Sequence, residues 1–588
     1  MPSDGHRPVV HAYHDTQAPH VPASWLADPS PAQHDASLVC LRCPRMLPPH
    51  TSASSGLGRT SREHHRCLTR VCLRPRTQSV NQTDSLLARL LGRCPPVRAS
   101  PRDARRVLVV VVVVVFVVCV LVQGHFHTAT HGAMERARAS FDALASLSDP
   151  LRVPASERTY GRQFAQMYDY RLAVLRRRAR EAAMAQRPDT CVNATYIERL
   201  LDIPPRQMCM VVGTFYSAMQ LKPDVLQDIA RDLSLPAPPP RTSYVDTEHD
   251  ELFLEDQSGR VRVVGDLLRP GTQLAQTCVT GVVACVIGIE TPDGDFEVHH
   301  VFFPGLPPTA AVSYLAAKPA PTPANNHNFI VLASGLYVGE SDPRSDLARD
   351  LLMEWLSGEL CSSTDERARV ARISSLVLAG DCVQQAAWKQ VSETKSMESN
   401  PFAFLDPYID QLCETLDAVV VMPGMHDPCT MTLPQQPLLR TLLPRASQRT
   451  SLHLGTNPTW FSLNGRAILA TSGQNLDDLL KYMPDDAKRD SSAALDMAVA
   501  TLRWSHMAPT APDTLWCYPF KAADAFVIRA APDVYVIGNQ AAFATTTFQA
   551  SPTHQVRVIL VPTFARTHQV VVLDTETLEP HIMSFHTS

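Results

Sequence analysis

Apolar residues recur every three to four positions from Tyr160 to Glu181, at Phe164, Met167, Tyr168, Leu172 and Leu175. That spacing predicts an amphipathic helix. A second apolar-basic run, Tyr196 to Leu201, leads into Pro204-Pro205, and there the period changes. Gln207 to Tyr216 reads as a strand. Glu251–Asp256 and Arg260–Val264 alternate in polarity around Gln257-Ser258-Gly259, which predicts a hairpin. Cys278–Glu290 and Asp295–Phe303 read as two further strands joined by Pro292-Asp293-Gly294, and Lys222–Leu233 as an interposed helix. Short strands with one helix between them suit a small Greek-key barrel, an OB-fold, over about 155–310.

Beyond about 326 the rhythm becomes strand, loop, helix, as in a layered α/β domain running to 588. The predicted strands are Asn328–Leu332, Ser375–Leu378, Ala418–Val421, Arg466–Ala470, Val534–Ile537, Val556–Val561 and Gln569–Leu573. A helix from Asp346 to Leu356 is expected to bury Leu347, Leu351, Leu352, Trp355 and Leu356 and to stop at Gly358. Asp406-Pro407 reads as the start of another helix, and Leu476–Tyr482 as a short one. The fold class is therefore all-β plus α/β: a barrel followed by a layered sandwich.

The first 133 residues do not share this patterning. They are rich in Pro, Arg, Ser and His and run into an apolar block, Val107–Val122, of 16 residues. A spanning helix needs about 20, so no membrane partner is expected. Cys40-x-x-Cys43 with His64, His65, Cys67 and Cys72 has zinc-like spacing, but its interval offers no core to fold around a metal. The expectation is a disordered extension, or upstream sequence joined to the reading frame, with Met134 as a natural alternative start. The 15 cysteines are irregularly spaced, as reduced thiols of an intracellular protein are. The net charge of −4 lacks the basic bias of a protein that grips duplex DNA by itself. Phe215, Tyr216 and Phe253 are the barrel aromatics that could stack on single strands, and they suit its core equally well. The barrel reads as a protein-binding module as readily as a DNA-binding one.

Candidate chemistry lies where strands end in Gly plus Asp, Asn or His, the places where ligands gather in sheet proteins. These ends are Ser334-Gly335-Leu336-Tyr337, Gly380-Asp381 with Gln384, Gly424-Met425-His426-Asp427, and Gly538-Asn539-Gln540-Ala541. In order and spacing they resemble the motifs of the calcineurin-like metallophosphoesterases, whose two metals need carboxylates and imidazoles at each end. The resemblance implies that Gly335 and Tyr337 stand at an Asp and a His position. Gln384 stands at the bridging Asp, Met425 at the Asn, and Asn539 and Ala541 at two His positions; Asp381, His426 and Asp427 remain. It puts Cys517-Tyr518-Pro519 at the lone-His position. The expectation is a degenerate site with no catalytic residues, no metal and no cofactor. Asp381 and His426 could equally serve as caps for backbone groups.

A barrel followed by such a domain is similar to the B-subunits of replicative DNA polymerases. The local strings resemble the small, second subunits of DNA polymerase delta. They are Val212–Tyr216 with Leu221-Lys222-Pro223; Gly424–Pro428 with Leu433-Pro-Gln-Gln-Pro437; Thr456-Asn-Pro458; Thr471–Asn475 with Asp477-Asp478; His506–Leu515 with Cys517–Phe520; and Gly538–Gln540. Leu439 departs from the family, which tends to have His there. The resemblance implies a nuclear, non-catalytic scaffold subunit. It would bind the cysteine-rich C-terminal domain of the polymerase catalytic subunit and a third subunit, and reach the sliding clamp and DNA indirectly. The alternatives are an active metal-dependent phosphodiesterase or exonuclease, the equivalent subunit of polymerase alpha or epsilon, and a free single-strand binder.

Overall fold

The computed structural model describes residues 135–223, 241–269, 271–307, 327–339, 342–384, 400–521 and 523–586. The zinc-like cysteines, the Val107–Val122 run and most of the expected 222–233 helix lie outside them. Among the described residues no helix is long and apolar enough to cross a membrane. Residues 136–585 form one compact unit.

A short strand, β1 (Phe141–Asp142), comes first among the described residues, and helix α1 (Ala165–Gln186) follows. The helix begins five residues later than its apolar spacing predicts. The Thr159 N–H donates to the Tyr518 hydroxyl at 3.3 Å, and Tyr160 packs edge-on against the Tyr518 ring, so tertiary contacts claim that turn. It also runs on through Ala182, Ala183 and Ala185, good helix formers, until Pro188 disfavours helical geometry at Arg187. The Tyr196 run forms β2 (Thr195–Ile197) and a 3-10 turn at Leu200–Asp202.

Then come β3 (Met208–Ala218), β4 (Glu251–Glu255), β5 (Arg260–Val264), β6 (Val283–Glu290) and β7 (Phe296–Phe302). The strand order is β2-β3-β4-β5-β7-β6, and β3 pairs again with β6, which closes the OB-fold barrel. Helix α1 packs across β3, β6 and β7. The barrel aromatics divide. Phe215 is fully buried, whereas Tyr216 and Phe253 are half-buried with the Arg260 guanidinium 4.7 and 5.3 Å from their rings. Arg260 pairs with Glu255, so this face carries its own counter-charge.

The rest of the chain builds two six-stranded sheets. Their elements, in chain order, are β8 (Phe329–Ala333), α2 (Pro343–Ser357), β9 (Ile373–Ala379), α3 (Phe402–Thr415), β10 (Ala418–Met422), β11 (Leu452–Leu454), β12 (Thr459–Leu463) and β13 (Arg466–Thr471). Next are α4 (Gln474–Leu480), α5 (Ala493–Trp504), β14 (Val534–Gln540), β15 (Ala544–Ser551), β16 (His554–Pro562), β17 (Gln569–Asp574) and β18 (Pro580–Ser584). One sheet runs β11-β10-β9-β8-β17-β18 and the other β1-β12-β13-β14-β16-β15. Strand alternation decides which face each residue serves. Val534 and Val536 join Ile330, Val420 and Ile468 in the core between the sheets. Tyr535 and Ile537 point the other way, into a core continuous with α4, α5 and the barrel.

Three expectations need correction. Leu347 is 43% exposed, because α2 turns Ala348, Leu352, Trp355 and Leu356 inward instead. Helix α3 starts at Phe402 and contains Pro407. Asp406 caps a different segment: its carboxylate accepts the N–H groups of Arg445 and Ala446 at 3.1 and 3.0 Å. The sequence reading also passed over α5, although Leu495, Val499 and Leu502 have helical spacing, and over the Thr-rich edge strand β15.

Candidate functional site

The carboxyl ends of β8, β9 and β10 from one sheet and of β13, β14 and β16 from the other meet at one edge of the sandwich. Parallel pairing aligns the ends of β8, β9 and β10 in one sheet and of β13, β14 and β16 in the other, and the bridge between Ser334 and Thr563 joins the two sets. Crossing backbone bonds tie them together. Gly335 N donates to Gly380 O at 2.9 Å, Thr563 N to Gln540 O at 3.0 Å, and Phe564 N to Ser334 O at 2.8 Å.

Asp381 sits at the bottom, 2% exposed, with a left-handed backbone (φ 56°) that Asp tolerates better than most residues. Its Oδ1 accepts the His426 N–H at 2.7 Å, and its Oδ2 lies 3.0 Å from His426 Nδ1 and 3.4 Å from the Tyr337 hydroxyl. The hydrogen bond to Asp381 raises the His426 pKa above its ordinary value, against the opposing effect of burial. Asp427 is also buried. Its Oδ1 accepts Val383 N–H at 3.0 Å and its Oδ2 accepts Gly424 N–H at 2.8 Å. Burial first, and the Asp381 charge next, push Asp427 up to about 7. A carboxyl that holds its proton this far up limits the negative charge buried next to Asp381.

Tyr337 thus reaches Asp381 and His426 from the β8 loop. Met425 points outward and is 66% exposed, and Ala541 is exposed in the turn after β14. Gln384 is half-buried, its N–H bonded to Val338 O at 3.1 Å. Asn539 holds the floor: its N–H donates to Ser334 Oγ at 2.8 Å and its Nδ2 to Ser472 O at 2.9 Å. The position of Cys517 needs correction. It is buried against Met167 of α1, 3.9 Å from its sulfur, and not at the strand ends. Ser472, at the end of β13, is the side chain that closes over Gly380 instead.

Beneath these residues lies an amide network that the sequence reading missed. Gln435 Nε2 donates to the Gly424 and Thr430 carbonyls at 3.0 and 3.1 Å. Asn457 Nδ2 lies 2.8 Å from Gln435 Oε1 and 2.6 Å from Ser472 Oγ, and Ser472 N–H returns a bond to Asn457 Oδ1 at 3.0 Å. Gln435, Asn457 and Ser472 are all buried, so these groups must satisfy one another in place of water. Gln435 and Asn457 lie in the Leu433–Pro437 and Thr456–Pro458 strings. Buried amides between prolines were the signal that could have revealed them.

The donor set does not suit a pair of metal ions. Among the described residues no group of three or more His, Cys, Asp and Glu side chains converges as metal ligands do. The two carboxylates are already engaged by N–H groups and by His426. A side chain at Gly335 would have its Cβ 2.6 Å from Thr563 Cγ2 and 2.8 Å from Asn539 Oδ1, so no carboxylate fits there.

Comparison with known proteins gives this architecture a family. Residues 330–545 match the DNA polymerase alpha/epsilon B-subunit family, and residues 163–301 match the DNA polymerase delta subunit OB-fold domain. The chain is 34% identical over 432 residues to the DNA polymerase delta small subunit of Arabidopsis thaliana, covering 73% of this chain and 92% of that protein. It is 32% identical over 477 residues to the DNA polymerase delta small subunit of Saccharomyces cerevisiae, covering 76% and 93%. A dimetal phosphatase from Danio rerio overlaps 44% of this chain and 99% of its own, at 12% identity and a TM-score of 0.21, too remote a likeness to add to this. On its identity to those small subunits over nearly their whole length, the chain belongs to the family of DNA polymerase delta small subunits, accessory subunits of that polymerase.

Proposed function

We propose that this chain is a non-catalytic scaffold of the nuclear polymerase delta assembly. In this reading it joins the cysteine-rich C-terminal domain of the catalytic subunit to the third subunit, and through that subunit to the sliding clamp and DNA. The barrel, over about 155–310, and the two-sheet domain, over about 326–588, present one partner surface, and the strand-end site is a degenerate phosphoesterase site. The observation that carries the non-catalytic part is the state of the two carboxylates. Asp381 and Asp427 take their hydrogen bonds from loop N–H groups, Tyr337 and His426, and the slot at Gly335 is filled by Thr563 and Asn539. A site that has lost most of its ligands cannot activate water by metal coordination.

The test is affinity capture of the full chain from replicating cells, with partners identified by mass spectrometry and a phosphodiester hydrolysis assay in Mn²⁺ on the purified chain. The expected result is recovery of the delta catalytic and third subunits with no hydrolysis above buffer. Hydrolysis intrinsic to the chain, in the absence of those partners, would replace the scaffold reading with the enzyme one.

A further inference from the structure

Arg171 of α1 is fully buried, yet most of its partners belong to the two-sheet region. Its Nε donates to Asp524 Oδ2 at 2.7 Å. Its Nη1 donates to Pro509 O at 2.7 Å and to the barrel's own Gly281 O at 3.1 Å, and its Nη2 to Ala511 O at 2.8 Å. Four of the five guanidinium N–H groups are thereby used in one planar fork. Asp524 also takes His506 Nε2 at 2.8 Å and the Phe526 N–H at 3.0 Å. His506 Nδ1 accepts the Ala508 N–H at 3.2 Å, which fixes the tautomer so that Nε2 donates to Asp524.

Apart from Gly281, the residues that receive the Arg171 bonds lie in 505–521 and 523–524, where no helix or strand supplies backbone partners. Buried carbonyls there must find donors, and Arg171 provides them for Pro509 and Ala511. The fit leaves no slack: a Cβ on Gly281 would lie 1.9 Å from the Pro509 oxygen. A second cation repeats the plan at the rim. Lys222 Nζ donates to Ser217 O at 2.7 Å and Thr280 Oγ1 at 3.0 Å on the barrel side, and to Asp513 Oδ2 at 2.6 Å on the other.

We propose that Arg171 locks the barrel onto the two-sheet region in a single orientation by holding the chain at Pro509, Ala511 and Asp524, so that the two regions open as one cooperative unit. Apolar burial across the junction is strong but non-directional. The direction comes from the fork, whose four acceptors lie on three separate stretches of chain. The consequence is a rigid platform whose two regions keep a fixed relation to each other.

Hydrogen exchange on the full chain tests this. In the parent protein the slowest amides of β6 and β14 exchange through the same opening reaction, within about a factor of two in rate. In Arg171→Met the β6 amides exchange at least ~10-fold faster than those of β14. Arg171→Lys keeps the charge without the fork and is the milder variant should the first fail to fold; it separates the two strands in the same direction. Unequal opening of β6 and β14 in the parent would overturn the proposal. So would equal exchange in Arg171→Lys, or β6 and β14 shifting together in Arg171→Met.

Discussion

At the strand ends, Asp381 and Asp427 lie together beside His426, and their backbone hydrogen bonds come from loops 3 to 45 positions away in the same sandwich. At the barrel junction, Asp524 meets a guanidinium that is 353 positions earlier in the chain. The first cluster draws its hydrogen bonds from loop N–H groups around it, so a change there stays local. The second shares its charge between two folded regions, so a change there propagates. The strings on which the family resemblance rests divide between the two. Lys222, His506–Leu515 and Cys517–Phe520 line the junction, and Gln435 and Asn457 form the amide network under the site.

Removing one partner of the junction pair should have the largest effect. Asp524→Ala leaves Arg171 and His506 facing an empty buried position and is expected to cost about 3–5 kcal/mol, read as a lower urea midpoint. If the cost is under about 1 kcal/mol, the pair is not buried as described and the contrast with the strand ends disappears.

Acid should act on the junction next. Burial first, and the Arg171 charge next, lower His506 to about 4, whereas unfolded His titrates near 6.5. The unfolded chain therefore binds more protons in that interval, and stability falls as pH drops from about 6.5 to 4. The expected size is on the order of 3 kcal/mol. Burial alone would raise Asp524, but Arg171 and His506 hold it at about 2, so its own contribution is lost only below about pH 4. Because buried carboxyls such as Asp427 titrate in the opposite sense over the same interval, the measure is the difference between parent and His506→Gln: the parent's urea midpoint should fall relative to the variant's as pH drops from about 7 to 4.

The strand-end site should respond less. His426→Ala removes one side-chain hydrogen bond to Asp381 but keeps the backbone N–H on Oδ1, and a loss of about 1 to 2 kcal/mol is expected. The exchange rates of β6 should not change. Smallest of all, Met425→Ala should stay within about 0.5 kcal/mol of the parent in chemical denaturation, because its side chain is mostly in solvent.

Much of the fold was legible because strand alternation and Gly-ended loops are local signals. The β4–β5 hairpin, the parallel strands and the order of the strand-end motifs could all be read from period and punctuation. The interior of the site was only partly legible. That Asp381 and His426 are adjacent follows from motif order, but nothing local says that Asp427 turns inward to bind Val383 and Gly424. Cys517 was misplaced because a Cys-Tyr-Pro string carries no direction, and Met167, its neighbour, is 350 positions away. Nothing local sets Arg171 apart from the other arginines of α1, and only the packing of that helix against Pro509, Ala511 and Asp524 shows that it is buried. Pro407 misled for a related reason: it stands inside α3, a position proline rarely takes.

The contrast comes down to whether the strand-end site needs a metal. The most direct measurement is calorimetric titration of the purified full chain with Mn²⁺ near neutral pH. The account predicts no saturable heat into the millimolar range, and the same flat response from Asp381→Asn. A stoichiometric isotherm for one or two ions per chain, abolished by Asp381→Asn, would contradict it and restore a metal centre to the ends of these strands.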